Sequence, residues 1–282
     1  HKFEIVCPNC LGNLESLNDQ IICKNCGQNF PIIMGIPDLR FPPVGMDETT
    51  EKMLSIYEGA SLEALITIVL DDAKLPQKII EDSLVYYHNQ GERAEKMTAM
   101  FLNQASQSFG LSNKFRALDL GCGSGAGVLS LTKSFEQVVG IDSSIPQLLL
   151  GKKSLEGSDQ QRILLICANA DAIPFKESTV NYVQSTNVLE HLIELPPVIE
   201  EISRVLSDQG LFAADSRNKF DVFFPEPHTG LRFLGFLPWK FIPNYVEWRC
   251  KSQYEKTRLL SYHDINRFMR KHFTGEFWIT YP

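Results

Sequence analysis

Ala117-Leu118-Asp119-Leu120-Gly121-Cys122-Gly123-Ser124-Gly125 is the stretch whose reading decides the fold. Its first part is an apolar strand, its second a glycine-rich turn, and a helical pattern follows. A strand that feeds such a turn into a helix opens a βαβ unit and hence a parallel sheet. The glycines allow a ligand to approach the backbone closely. The same alternation continues outward, with strands expected near 115–120, 137–142, 162–167, 179–185 and 210–215. Helices are expected near 125–135, 144–155 and 194–206, then a last helix near 262–272 and a strand near 276–281. Upstream, residues 47–110 read as helical: Leu54, Tyr57, Leu62, Leu65 and Ile66 recur at helical spacing, and Glu92–Phe109 is a further such stretch.

Two kinds of cofactor compete for this turn. Gly121, Gly123 and Ala126 satisfy the dinucleotide pattern, and Asp142 lies 21 residues after Gly121. A nicotinamide or flavin oxidoreductase is therefore a rival reading. Asp119 discriminates between them. A dinucleotide brings an anionic pyrophosphate, which a carboxylate two residues before the first glycine repels. S-adenosylmethionine (SAM) brings an ammonium and a sulfonium, which that carboxylate attracts. Val138-Val139-Gly140-Ile141-Asp142 is a second buried strand ending in an acid, placed to accept ribose hydroxyls. Asn169-Ala170-Asp171-Ala172 follows the third strand, Thr186-Asn187-Val188-Leu189-Glu190-His191 closes the fourth, and Gly210-Leu211-Phe212 opens the fifth.

From about 90 to 215 the chain resembles the class I methyltransferases, in particular the small-molecule branch with ubiquinone-biosynthesis-like enzymes. The fold this implies is α/β: a Rossmann-like sheet with helices on both faces, of seven strands with the last antiparallel. The chain stops near the sixth. By that resemblance Asp119, Gly121, Gly123 and Gly125 cradle the methionine part of SAM, with Cys122 between them. Asp142 with Ser143 would hold the ribose, Asp171 and Ala172 would read the adenine, and Asn187 would sit near the methyl group.

At the other end, Cys7-Pro8-Asn9-Cys10 and Cys23-Lys24-Asn25-Cys26 form two CxxC pairs separated by twelve residues. Two such turns can aim four sulfurs at one ion, giving a closed, structural zinc site. Gly12 and Gly27, just after the pairs, are expected to permit the turns. A redox dithiol or four unrelated thiols are the alternatives. Residues 3–40 resemble the zinc-ribbon partner proteins of certain RNA and protein methyltransferases. The domain plan expected is a ribbon over 1–42, a helical lead-in and cofactor lid over 43–110, and the SAM-binding core over 111–282. Ribbon and glycine turn are expected to be separate cores, so that chelation spares cofactor binding.

The formal net charge of -7 argues against broad nucleic-acid binding, and no apolar run is long enough to span a bilayer. An odd, clustered set of seven cysteines suits a reducing cytoplasm, and no secretory signal is visible. Residues 216–260 run against the overall sign, with eight Lys/Arg, four acids and ten aromatics. This aromatic-rich insertion after the fifth strand reads as a substrate cap with His228, Trp239 and Tyr254 as candidate contacts. It can also be a small second core, or a patch for peripheral membrane contact. The partner expected is a small-molecule acceptor, with no nucleic acid; an RNA methyltransferase guided by the ribbon and a non-enzymatic adaptor are the rivals. His191 is the candidate general base, useful only for a protonated nucleophile, and equally a residue that caps a helix.

Overall fold

The computed structural model describes residues 4–72, 77–111, 115–192, 194–216, 218–220, 229–250 and 260–273. The expected strand near 276–281 lies outside them, as do His228 and Tyr254. The chain divides into two compact units: one of residues 1–184 with 204–213, the other of 185–203 with 214–282.

The first unit begins with a four-stranded antiparallel sheet, β1 (Leu14–Leu17), β2 (Gln20–Cys23), β3 (Asn29–Ile33) and β4 (Ile36–Pro37). Three helices follow: α1 (Glu48–Ile56), α2 (Leu62–Asp72) and the long α3 (Gln77–Phe109). Asp47 caps α1 by accepting from the Thr50 N–H at 2.6 Å, and Glu48 and Glu51 in its first turn suit the helix dipole.

The second sheet holds β5 (Arg116–Leu120), β6 (Gln137–Asp142), β7 (Ile163–Cys167), β8 (Val180–Ser185) and β9 (Leu206–Ala214), in the order β7-β6-β5-β8-β9. The pairs β5–β6, β6–β7 and β5–β8 are all parallel. The chain therefore steps outward from β5 to β7, then returns to the other side of β5. That reversal opens a crevice at the carboxyl ends of the central strands, the usual ligand position in open α/β sheets. Strand sequences such as Val138–Ile141 are continuous apolar runs because both faces are covered. Phe135 stacks on Tyr182 at 5.2 Å inside this core.

Between the strands lie α4 (Ala126–Leu131) and α5 (Ile145–Ser154). Ser144 caps α5, Pro146 occupies its first turn, and Lys152 and Lys153 close its last. Strand β9 starts at Leu206, earlier than the expected 210, and a side chain on Gly210 would collide with Ser207 and Leu206, so the chain bends tightly between Ser207 and Gly210.

In the second unit are α6 (Leu195–Val205), α7 (Ile242–Cys250) and α8 (Tyr262–His272). Ser261 and Asp264 form a reciprocal capping box on α8. Leu234, Ile242 and Val246 make a small core of their own. Among the described residues, no helix is long and apolar enough to cross a membrane.

Candidate functional site

The glycine turn leaves β5 with its backbone folded under β6. The N–H groups of Gly121 and Cys122 both donate to Ile141 O, at 2.7 and 3.0 Å. Gly121, Gly123 and Gly125 all adopt positive φ, which a side chain would strain. A glycine that sequence reasoning did not single out is equally constrained: a Cβ on Gly127, in the first turn of α4, would strike the Asp119 carboxylate.

Asp119 is 2% exposed, and its Oδ1 is buried without a hydrogen-bond partner. Burial, then the neighbouring charge of Asp142, pushes its carboxyl up to about 7, against the Val128 N–H that favours the ionised form. Its register partner on β8 is Gln184, also buried, whose Oε1 likewise has no partner. Two acceptor oxygens at one level of the sheet thus lack a donor. Asp142 is pinned instead: Oδ2 accepts from Gly123 N and Oδ1 from Ser144 N, both at 2.9 Å. Burial raises its pKa, partly offset by these N–H groups. Each of its oxygens keeps a further lone pair for a ligand. Cys122 is buried and its thiol pushed far up, so it is no nucleophile.

Helix α3 closes over this turn through polar contacts. Ser124 Oγ donates to Gln90 Oε1 at 2.6 Å, and Gln147 Nε2 donates to the Tyr87 hydroxyl at 3.0 Å. Asp171 is exposed after β7, and the Ala172 N–H donates to Asn169 O at 3.2 Å. Asn187, His191 and Trp239 belong to the second unit. Asn187 has φ +54° and donates its N–H to Asp215 Oδ1 at 2.8 Å. His191 is the exposed last residue of a 3-10 turn, Leu189–His191, whose first two residues are buried, and Trp239 is 44% exposed.

The four N-terminal cysteines converge, with their sulfurs all within 4.8 Å of one another. Cys7 Sγ lies 3.7 Å from Cys26 Sγ, and Cys10 Sγ 3.5 Å from Cys23 Sγ. Thiolates at about 2.3 Å from a tetrahedral zinc stand about 3.8 Å apart, so the donor set fits that ion. The knuckle geometry differs from the glycine expectation. Leu11, not Gly12, takes the positive φ of the first turn, at +56°, while Gly27 takes it in the second. Gly12 is required because a Cβ there would press on Asn25, close to the Cys10 and Cys23 sulfurs.

Ribbon and cofactor turn are not separate cores. Asp38 pairs in parallel with Cys167 at the edge of β7, and the Leu39 N–H donates to Cys167 O at 2.7 Å. Arg40 forms a buried two-pronged pair with Asp38, at 2.8 and 2.6 Å, and reaches Ser143 O at 3.4 Å. Asn169 Nδ2 donates to Phe41 O at 2.9 Å. The segment after the ribbon thereby grips both loops that follow β6 and β7. These residues escaped the sequence reading; the only local hint was two opposite charges inside an apolar run, Ile36 to Phe41.

Residues 118–214 match a family model described as a methyltransferase domain. A demethylmenaquinone methyltransferase of Shouchella clausii is 30% identical over 97 residues, 33% of this chain and 41% of that protein. A sterol 4-C-methyltransferase of Caenorhabditis elegans is 23% identical over 124 residues, 44% of this chain and 37% of that protein. The chain thus spans less than two thirds of the length of these relatives. Haemonchus contortus phosphoethanolamine N-methyltransferase 2, solved with S-adenosyl-L-methionine, superposes with a TM-score of 0.45 at 20% identity, covering 61% of this chain and 35% of that one. Residues 118–214 are thus similar to a methyltransferase domain.

Proposed function

We propose that the chain is a SAM-dependent methyltransferase acting on a small-molecule nucleophile, with a structural zinc in its N-terminal ribbon. The observation that carries the first part is the unpartnered Oδ1 of buried Asp119 beneath the glycine turn, level in the sheet with the equally unpartnered Oε1 of Gln184. An ammonium supplies donors and charge to such a pair, whereas a pyrophosphate supplies neither. Asp142 is the ribose acceptor in this reading, and Asp171 with Ala172 the adenine reader.

Bound SAM supplies an already activated methyl group. The chain's share is positioning: the turn fixes the donor, α3 excludes water through Tyr87 and Gln90, and the acceptor is held in line. The relatives are named for quinone-type and sterol acceptors, which supports a ring-bearing, lipid-like acceptor here. Titration calorimetry tests the cofactor assignment. Wild type should bind SAM at micromolar levels or better and NAD far more weakly; Asp142→Ala should lose about tenfold or more in SAM affinity. Equal SAM binding by both proteins removes the ribose role, and preferential NAD binding overturns the reading.

For the metal, elemental analysis of freshly purified, reduced protein should return one zinc per chain, held by Cys7, Cys10, Cys23 and Cys26. Cys23→Ser should lose it and lower the melting temperature, because ligation supplies folding energy to so small a sheet. Wild-type protein free of zinc ends the idea.

A further inference from the structure

We propose that an aromatic face of the second unit docks onto an anionic membrane surface. Phe220, Phe233, Phe236, Trp239, Phe241 and Trp248 are each between 44% and 75% exposed. Soluble proteins seldom leave so many large apolar side chains this exposed. Phe220 and Phe233 both flank Phe236, with ring centroids 5.3 and 6.4 Å from it. Phe241 ends the 3-10 turn that runs into α7, and Trp248 lies seven residues on, in the last turn of that helix.

This face is held from beneath. Leu234, Ile242 and Val246 are buried behind it, and Gly235 lies so close to the Lys219 carbonyl that a Cβ would collide. The aromatics are therefore presented outward by a packed support. Pro238 and Pro243 make this a set of short turns that insert side chains, and not one long amphipathic helix.

Cations stand among the rings. Lys219 Nζ lies 5.6 Å from the Phe220 centroid and Lys240 Nζ 4.9 Å from that of Phe241. Among the described residues 218–220 and 229–250, four basic side chains, Lys219, Arg232, Lys240 and Arg249, stand against the acid Glu247, in a chain of net charge -7. A negatively charged surface thus attracts this face and repels the remainder, which sets the orientation of approach. Four of the six rings are phenylalanines, which have no polar handle for a protein partner's hydrogen bonds. Planes tilted by 59° and 54° to Phe236 offer no parallel platform for stacked bases. Both features favour lipid over polynucleotide.

The test is vesicle flotation of the whole chain, with tryptophan fluorescence as a second readout; neither needs turnover, so failure here is distinct from failure of the methyltransferase reading. Phosphatidylcholine vesicles containing phosphatidylglycerol should bind the protein about tenfold or more tightly than pure phosphatidylcholine, with a blue shift and loss of binding in high salt. Phe236→Ser with Trp239→Ser, both exposed positions, should abolish binding at unchanged melting temperature. Lys219→Glu with Lys240→Glu should erase the preference for anionic lipid. The proposal is overturned if wild type floats with neither vesicle. It is equally overturned if the double serine variant floats as well as wild type, if the aromatics prove to mediate a dimer in light scattering without lipid binding, or if single-stranded RNA competes while vesicles do not bind.

Discussion

Asp119→Asn is expected to give a protein that melts higher than wild type above pH 7 and yet binds SAM about a hundredfold more weakly. The two effects share one cause. Asp119 is buried with an unpartnered oxygen, and its carboxyl is pushed up to about 7. An acid whose pKa rises on folding keeps its proton longer in the native state. Between an unfolded value near 3.9 and the native value of about 7, the native state binds more protons than the unfolded one. Stability therefore falls as pH rises through that window, and the whole penalty, roughly 4 kcal/mol, stands above it. The amide removes the penalty, so melts of the unliganded proteins should coincide at or below about pH 4, diverge steadily as pH rises, and differ most above about pH 7. The same charge is what an incoming ammonium would neutralise, so the variant forfeits cofactor affinity. Melting curves across pH and calorimetry at pH 8 check both halves. An asparagine variant that melts lower at pH 8, or that binds SAM normally, contradicts the assignment.

The second large effect is expected at Arg40. Its guanidinium and the Asp38 carboxylate have side chains only 10% and 5% exposed. Removing one partner strands the other charge in a buried place, typically at about 3–5 kcal/mol. Arg40→Met should thus lower the melting temperature by many degrees, and Arg40→Met with Asp38→Asn should recover much of the loss. Cofactor affinity should fall too, because this segment holds Ser143 O and, through Phe41 O, Asn169. For the same reason, stripping metal from the wild type should weaken SAM binding, contrary to what two independent cores would give. Calorimetry on the folded single variant decides: unchanged affinity and a melt within a degree of wild type would show the clamp to be incidental.

Much of the sheet was legible because buried parallel strands are near-continuous apolar runs, and because Gly121 to Gly125 punctuate the first of them. The paired cysteines were legible for a similar reason, since their spacing encodes the turn. What escaped was nonlocal. Nothing near Asp38 announces Cys167 as its neighbour, and nothing near Gly127 announces the carboxylate it must clear. The orphaned Gln184 is visible only once β8 is known to return beside β5. Leu11 escaped because positive φ is read from glycine, and here a close approach claimed the neighbouring glycine instead.

The pairing of Asp38 with Cys167 also bears on how the chain is made. Its strand partner leaves the ribosome about 130 residues after the ribbon, a delay of roughly ten seconds at ordinary elongation rates. Throughout that interval the edge formed by Asp38 and Leu39 has no native strand beside it. The nascent ribbon must therefore hold its shape by its own hairpins. With the zinc proposed for its four cysteines, early loading would safeguard the docking that follows.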